Sequence, residues 1–236
     1  MNSHIVRSYD AELSELDRMT AQMGGLVERL LADAFAALSR RDPALAAKAI
    51  ANDAAIDQLD RHVQERAIMM IAKRQPLADD LRHVMTVLKI AGDLERIGDL
   101  AKNIAKRALA VSAENQPRLI MAGIGHMAEL AQRQLKDVLD AFAMRDAAKA
   151  ELVWRRDDQI DALYNSLFRE LLTYMMEDPR NIGLCTHLLF AAKNLERIGD
   201  HATNIAETTY YLITGNQLTE DRPKGDDSGS TTIPGR

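Results

Sequence analysis

The hexapeptide Leu94-Glu95-Arg96-Ile97-Gly98-Asp99 recurs letter for letter as Leu195-Glu196-Arg197-Ile198-Gly199-Asp200, 101 residues further along the chain. An exact internal repeat at that distance in a chain of 236 residues marks two copies of one structural unit. Each copy sets two carboxylates four residues apart, Glu95 with Asp99 and Glu196 with Asp200. On an α-helix that spacing puts both side chains on one face, one turn apart. The residues around the first copy do keep helical period: Val87, Ile90, Leu94, Ile97, Ala101, Ile104, Ala108 and Val111 form one apolar stripe.

Composition agrees with helices and with nothing else. Apolar residues make up 47% of the chain and aromatics only 4%, with 12 glycines and 6 prolines. Such a chain, rich in Ala, Leu, Ile, Met, Glu, Arg and Lys, builds long packed helices rather than a sheet. The net charge is −5 and the basic residues form no stripe, so nucleic acid is not an expected partner. The single cysteine, Cys185, has no partner for an internal disulfide and reads as a small buried apolar residue. The N-terminal residues lack the apolar core of a signal peptide. Uncharged stretches such as Ile182–Ala192 fall short of the ~20 apolar residues a membrane span needs. The expectation is a soluble, cytoplasmic protein that meets a membrane only through a partner.

Outward from the repeat, short breaks divide the chain into six helical segments. The first runs from about Ser8 to Arg40, and Asp42-Pro43 reads as a cap with proline at the first helical position of the second. Gln75-Pro76 closes the second helix near Arg74, and the third continues to about Ser112. Asn115-Gln116-Pro117 then divides the chain near its middle. The fourth helix reaches about Met144, Arg145-Asp146 repeats the Arg41-Asp42 turn, and the fifth ends near Glu177. Asp178-Pro179 precedes the sixth, which ends near Ile213. Turns this short make neighbouring helices antiparallel. The predicted fold is all-α: two tandem three-helix bundles, 1–113 and 114–214, followed by a disordered tail at 215–236 that is rich in Gly, Pro, Ser, Thr and Asp.

The second helix of each half carries an acidic pair of its own, Asp53 with Asp57 and Asp157 with Asp161, with Ile56 matching Ile160 between the acids. In the first half this pair is centred 21 residues before Pro76, and the Glu95–Asp99 pair is centred 21 residues after it. In the second half the corresponding distances from Pro179 are 20 and 19 residues. Equal distances from a turn mean equal height in antiparallel helices, so each half brings four carboxylates to one level. Like charges so spaced repel, and clustering worsens it. Either a bound cation or nearby Arg and Lys must offset them, with Arg61, Arg96, Arg155 and Arg197 as candidate ion-pair partners. Duplication and levelling favour a metal, and oxygen ligands suit Mg²⁺, Ca²⁺, Mn²⁺ or iron. Asn103 and Asn204, one turn beyond Asp99 and Asp200, are possible further ligands. Gly98 and Gly199 cost each helix ~1 kcal/mol relative to alanine, which implies a close helix approach or room for a cluster.

Other chemistry is thin. The chain has no E-x-x-H, H-E-x-x-H or G-x-S-x-G motif and no glycine-rich phosphate loop. His201 stands beside Asp200 in one copy only and reads as a surface histidine, with a supporting role toward the acids as the lesser reading. Trp154 and the methionines read as packing residues.

The paired D-x-x-x-D and LERIGD acids, the Arg74-Gln75-Pro76 turn and the Asn-Ile-Ala runs at 103–105 and 204–206 together resemble the PhoU family over about residues 5–214. The resemblance implies metal ions (Mg, Mn, Zn) or iron clusters held by Asp53, Asp57, Glu95 and Asp99 and by Asp157, Asp161, Glu196 and Asp200. It implies a regulator rather than an enzyme: a negative regulator of the phosphate-starvation response and modulator of phosphate uptake. Such a protein connects the ATPase subunit of the phosphate ABC transporter with the phosphate-sensing histidine kinase, commonly as a homodimer. The second turn departs from the family pattern, with Glu177-Asp178-Pro179 in place of RQP. The alternatives are a helical metalloprotein or metalloenzyme working through the carboxylate clusters, and a purely structural scaffold.

Overall fold

The computed structural model describes residues 2–156 and 158–218. The helices are α1 (Asn2–Arg40), α2 (Pro43–Arg74), α3 (Asp79–Ala110), α4 (Arg118–Met144), α5 (Ala147–Trp154), α6 (Asp158–Glu177) and α7 (Ile182–Thr214), with a short 3₁₀ turn at Pro179–Asn181. This is the expected six-helix, all-α architecture with one interruption. The fifth helix is split into α5 and α6 by a turn at Arg155–Arg156. The split follows directly on Trp154, which is buried and donates its indole N–H to Glu207 Oε1 on α7 at 2.9 Å. A buried indole must find an acceptor, and meeting that need pins the end of α5 against α7. From residue 219 on, the expected tail lies outside the described residues.

The turns repeat as the sequence does. Arg41 and Arg145 both adopt left-handed backbone at φ 54°. Asp42 then accepts from the N–H groups of Ala44 and Leu45, each at 3.0 Å, and Asp146 from Lys149 at 2.9 Å. Both aspartates thus satisfy orphan donors at the start of the next helix. At the α2 terminus Gln75, also left-handed at φ 49°, returns its N–H to Ile71 O before Pro76.

α3 and α7 lie against each other at the centre. α1 and α2 pack on α3, while α4, α5 and α6 pack on α7, and α1 also meets α4. The stripe from Val87 to Val111 is buried throughout, with no member more than 1% exposed. The two halves share one continuous apolar core, so α3 and α7 carry the duplicated hexapeptides side by side through its middle. Leu94, Ile97, Leu195 and Ile198 point into that core. The acids between them, on the opposite edge of each helix, are left facing α2 and α6. No described helix is long and apolar enough to cross a membrane.

Candidate metal-binding faces

Glycine sets the register of each face. A Cβ on Gly98 would stand 3.2 Å from Ile56 Cδ1 and 3.5 Å from Asp53 Oδ1. On Gly199 it would stand 2.9 Å from Ile160 Cδ1. Each isoleucine, flanked by its own helix's acids, therefore packs on the glycine between Glu95 and Asp99 or between Glu196 and Asp200. The close approach expected of the repeated glycines is present in both halves, and it brings the acids of neighbouring helices to one height.

On the first face the link is direct. Lys102 Nζ donates to Asp53 Oδ2 on α2 at 2.5 Å and to Asp99 Oδ1 on its own helix at 2.6 Å. Burial works against the Lys102 charge, but these two hydrogen bonds outweigh it and hold the ammonium above its ordinary range. Asp53 is 4% exposed, and burial raises its pKa despite Lys102. Its other oxygen, Oδ1, is buried without a hydrogen-bond partner. Burial raises Glu95 as well, reinforced by the charges of Asp99, Asp60 and Asp57. Asp60 is a member that pair-reading alone passes over. One of its oxygens takes Gln64 Nε2 at 2.6 Å, while Oδ1 is buried and unpartnered. Burial raises Asp60 too.

On the second face Glu196 is the deepest acid, 6% exposed. Lys193 donates to its Oε1 at 2.7 Å, while Oε2 is buried with no partner. Burial raises its pKa, and the nearby charges of Asp200 and Asp161 add to the effect. Asp161 is itself buried, and Lys193 also lies over the Tyr164 ring, 4.8 Å from its centroid. Asp157 lies outside the described residues. Asn103 and Asn204 stand half-buried one turn beyond Asp99 and Asp200.

The shortest ion pairs to these acids come from Lys102 and Lys193, with Arg96 adding longer ones on the first face. Arg96 reaches Glu95 at 3.5 Å and Asp99 at 3.8 Å, but from an exposed position. Arg155 pairs with Glu151, and Arg61 and Arg197 are exposed. A short ammonium on a flexible stem reaches between two helices where an exposed guanidinium stays in solvent. The signal was present in sequence, since Lys102 follows Asp99 and Lys193 precedes Glu196 by three residues, within one helical turn. His201 is also not the surface residue expected. Its side chain is 20% exposed, and Nδ1 lies 2.9 Å from Asp93 Oδ1. Asp93 immediately precedes the first hexapeptide and His201 immediately follows the second, so this pair ties the two repeats together across α3 and α7. Cys185 is buried, and burial pushes its thiol up.

Buried carboxylate oxygens without partners, at Asp53, Asp60 and Glu196, are groups that a hard cation satisfies. These donors are carboxylate oxygens, which fit that class of ion. Among the described residues no three His, Cys, Asp or Glu side chains already converge on one point.

The family model described as the PhoU domain matches the chain twice, over residues 20–108 and 124–209. A phosphate-specific transport system accessory protein PhoU homolog of Rhizobium meliloti is 56% identical over 95% of this chain and 95% of its own. The homolog of Caulobacter vibrioides is 51% identical over 96% and 98%. The crystal structure of PhoU from Pseudomonas aeruginosa superposes with a TM-score of 0.86 at 40% identity, covering 88% of this chain and all of that one (100%). That of the phosphate transport system regulatory protein PhoU from Streptococcus pneumoniae gives 0.82 at 32% identity, covering 90% and 100%. With the family's domain matched in both halves and relatives aligned along nearly the whole length, this chain belongs to the PhoU family.

Proposed function

We propose that this protein is a negative regulator of the phosphate-starvation response and a modulator of phosphate uptake. It acts in the cytoplasm as a metal-binding adaptor between the ATPase subunit of the phosphate ABC transporter and the phosphate-sensing histidine kinase. The observation that carries this reading is end-to-end likeness to accessory proteins of the phosphate-specific transport system. The functional unit is two repeats, 1–113 and 114–214, assembled as a homodimer, and it works by binding rather than by turnover.

Asp53, Asp57, Glu95 and Asp99 would hold metal on the first face, with Asp157, Asp161, Glu196 and Asp200 on the second and Asn103 and Asn204 as further oxygen donors. The metal would supply positive charge to carboxylates that burial and mutual repulsion now penalise. The unpartnered oxygens of Asp53 and Glu196 support this reading. The acids themselves would orient the ion, and the packing of Ile56 on Gly98 and Ile160 on Gly199 would hold the helices at the spacing that lets both helices contribute.

Deleting the gene in its host and following alkaline phosphatase in phosphate-rich medium tests the regulator. Derepression that the wild-type gene reverses is the expected result. A silent reporter with normal phosphate uptake would refute it. Complementation with E95A/D99A and E196A/D200A then asks whether signalling needs the acids.

A further inference from the structure

The two faces differ in where their lysines stand. Lys102 follows Asp99 by three residues; three residues after Asp200 stands Thr203. Thr203 is fully buried and accepts a hydrogen bond from Gln134 Nε2 on α4 at 3.0 Å. The second face thus holds a neutral hydroxyl where the first holds an ammonium. Lys193, the second face's lysine, enters from a different site, since Gly92 stands at its counterpart in the first half. Its bond to Glu196 is within one helix, whereas Lys102 spans two.

Lys102 stands where a metal would. Its Nζ lies 2.5 and 2.6 Å from carboxylate oxygens of two different helices, close to the ~2.0–2.6 Å at which Mg²⁺ and Ca²⁺ take such oxygens. Only one of the two can sit there at a time, because an ammonium and a divalent ion sharing these oxygens would repel at contact range. The side chain is 20% exposed, and its four-carbon stem allows the ammonium to swing outward.

We propose that Lys102 is a resident counter-ion of the first face and competes with divalent cations there, so that metal binds between Asp53 and Asp99 only by displacing it. This inference rests on the metal-binding reading above. The faces are therefore unequal: the first is stable without metal, bridged by its own lysine, and it exchanges that bridge for an ion only at higher metal concentration.

Calorimetric titration of the full chain with MnCl₂ tests this, using wild type, K102T, K102R and K102T/E95A/D99A. K102T, which copies the second face, should bind Mn²⁺ about tenfold or more tightly at a first-face site. The gain should vanish in the triple variant and be absent in K102R, which keeps the charge. If K102T unfolds in EDTA, refolding by Mn²⁺ followed by circular dichroism reads the same competition, and failure to refold overturns it. Equal Mn²⁺ affinity in wild type and K102T, with both binding, overturns the competition and leaves the metal reading standing. Absence of Mn²⁺ binding in every protein overturns both.

Discussion

Glu196 keeps one carboxylate oxygen buried and without a partner while Lys193 holds the other. Its folded pKa is raised, chiefly by burial. The ionised form is therefore penalised in the folded state, and metal-free protein loses stability as pH rises through that pKa. Substituting Glu196→Gln removes the charge and keeps an acceptor for Lys193. In EDTA at neutral pH this variant should be more stable than wild type by about 1 kcal/mol, read by thermal melting. It should also lose much of the stabilisation that Mn²⁺ gives wild type. A lower melting temperature for E196Q in EDTA would show that the charge is already compensated. Two glycines of α3 and α7 make a second comparison. Gly92 has nothing within 4 Å of an added Cβ, while Gly199 has Ile160 Cδ1 at 2.9 Å. Relief of glycine's backbone entropy should make G92A more stable by about 0.5–1 kcal/mol. In G199A the same gain is opposed by displacement of Ile160 in a packed core, for a net loss of about 1 kcal/mol or more. Equal effects at the two sites in denaturant unfolding would contradict the packing described.

At the scale of elements, α3 and α7 are joined by apolar packing, by arginines of α3 stacked on aromatic rings of α7, and by a short polar tie beside the hexapeptides, Asp93–His201. That tie connects the acidic segment of one repeat to that of the other. H201A and D93A should each cost about 1 kcal/mol. The double variant should cost clearly less than their sum, because either change alone breaks the same contact. Additive losses would mean that the two side chains act independently. The elements also show why some of the site was readable from spacing. Equal distances from Pro76 foretold that α2 and α3 would bring Asp53 and Glu95 to one height, because antiparallel helices rise equally per residue. The Arg41-Asp42 and Arg145-Asp146 turns were readable for the same local reason, as a capping aspartate acts within three residues of itself. The split between α5 and α6 was not, since it follows from Trp154 meeting Glu207, 53 residues away.

For the molecule as a whole, the acids predict how stability follows pH and metal. Asp53, Asp60, Glu95 and Glu196 are all raised, each first by burial. Without metal, lowering pH from neutrality toward the ordinary carboxylate range, about 4, should raise the melting temperature as these groups take up protons. Glu12, Asp140 and Asp178 are held low, chiefly by hydrogen bonds to Arg74, Lys149 and Arg180. Their contributions are lost only as pH falls further, so stability in EDTA should pass through a maximum on the acid side of neutrality. With Mn²⁺ at about 100 times its dissociation constant, each occupied site should add about 2.7 kcal/mol at neutral pH. That gain should shrink as protons displace the ion. Melting curves across pH, with EDTA and with MnCl₂, check both; a metal-free curve that only falls with acid would remove the raised carboxylates from the account.

The repeat, the all-α class, most of the turns and the height of the acids were determined by sequence alone. They depend on local propensity, on capping within a few residues and on the constant rise of a helix. What lay beyond it was which cation reaches which acid. Lys102 and the exposed Arg96 are equally plausible by spacing, and only the packing of α2 on α3 buries one of them between Asp53 and Asp99. The bond from Asp93 to His201 likewise joins residues 108 apart, and it exists because α3 and α7 share one core. Side-chain partners across helices are chosen by the meeting of surfaces, and those surfaces form only when the chain has folded.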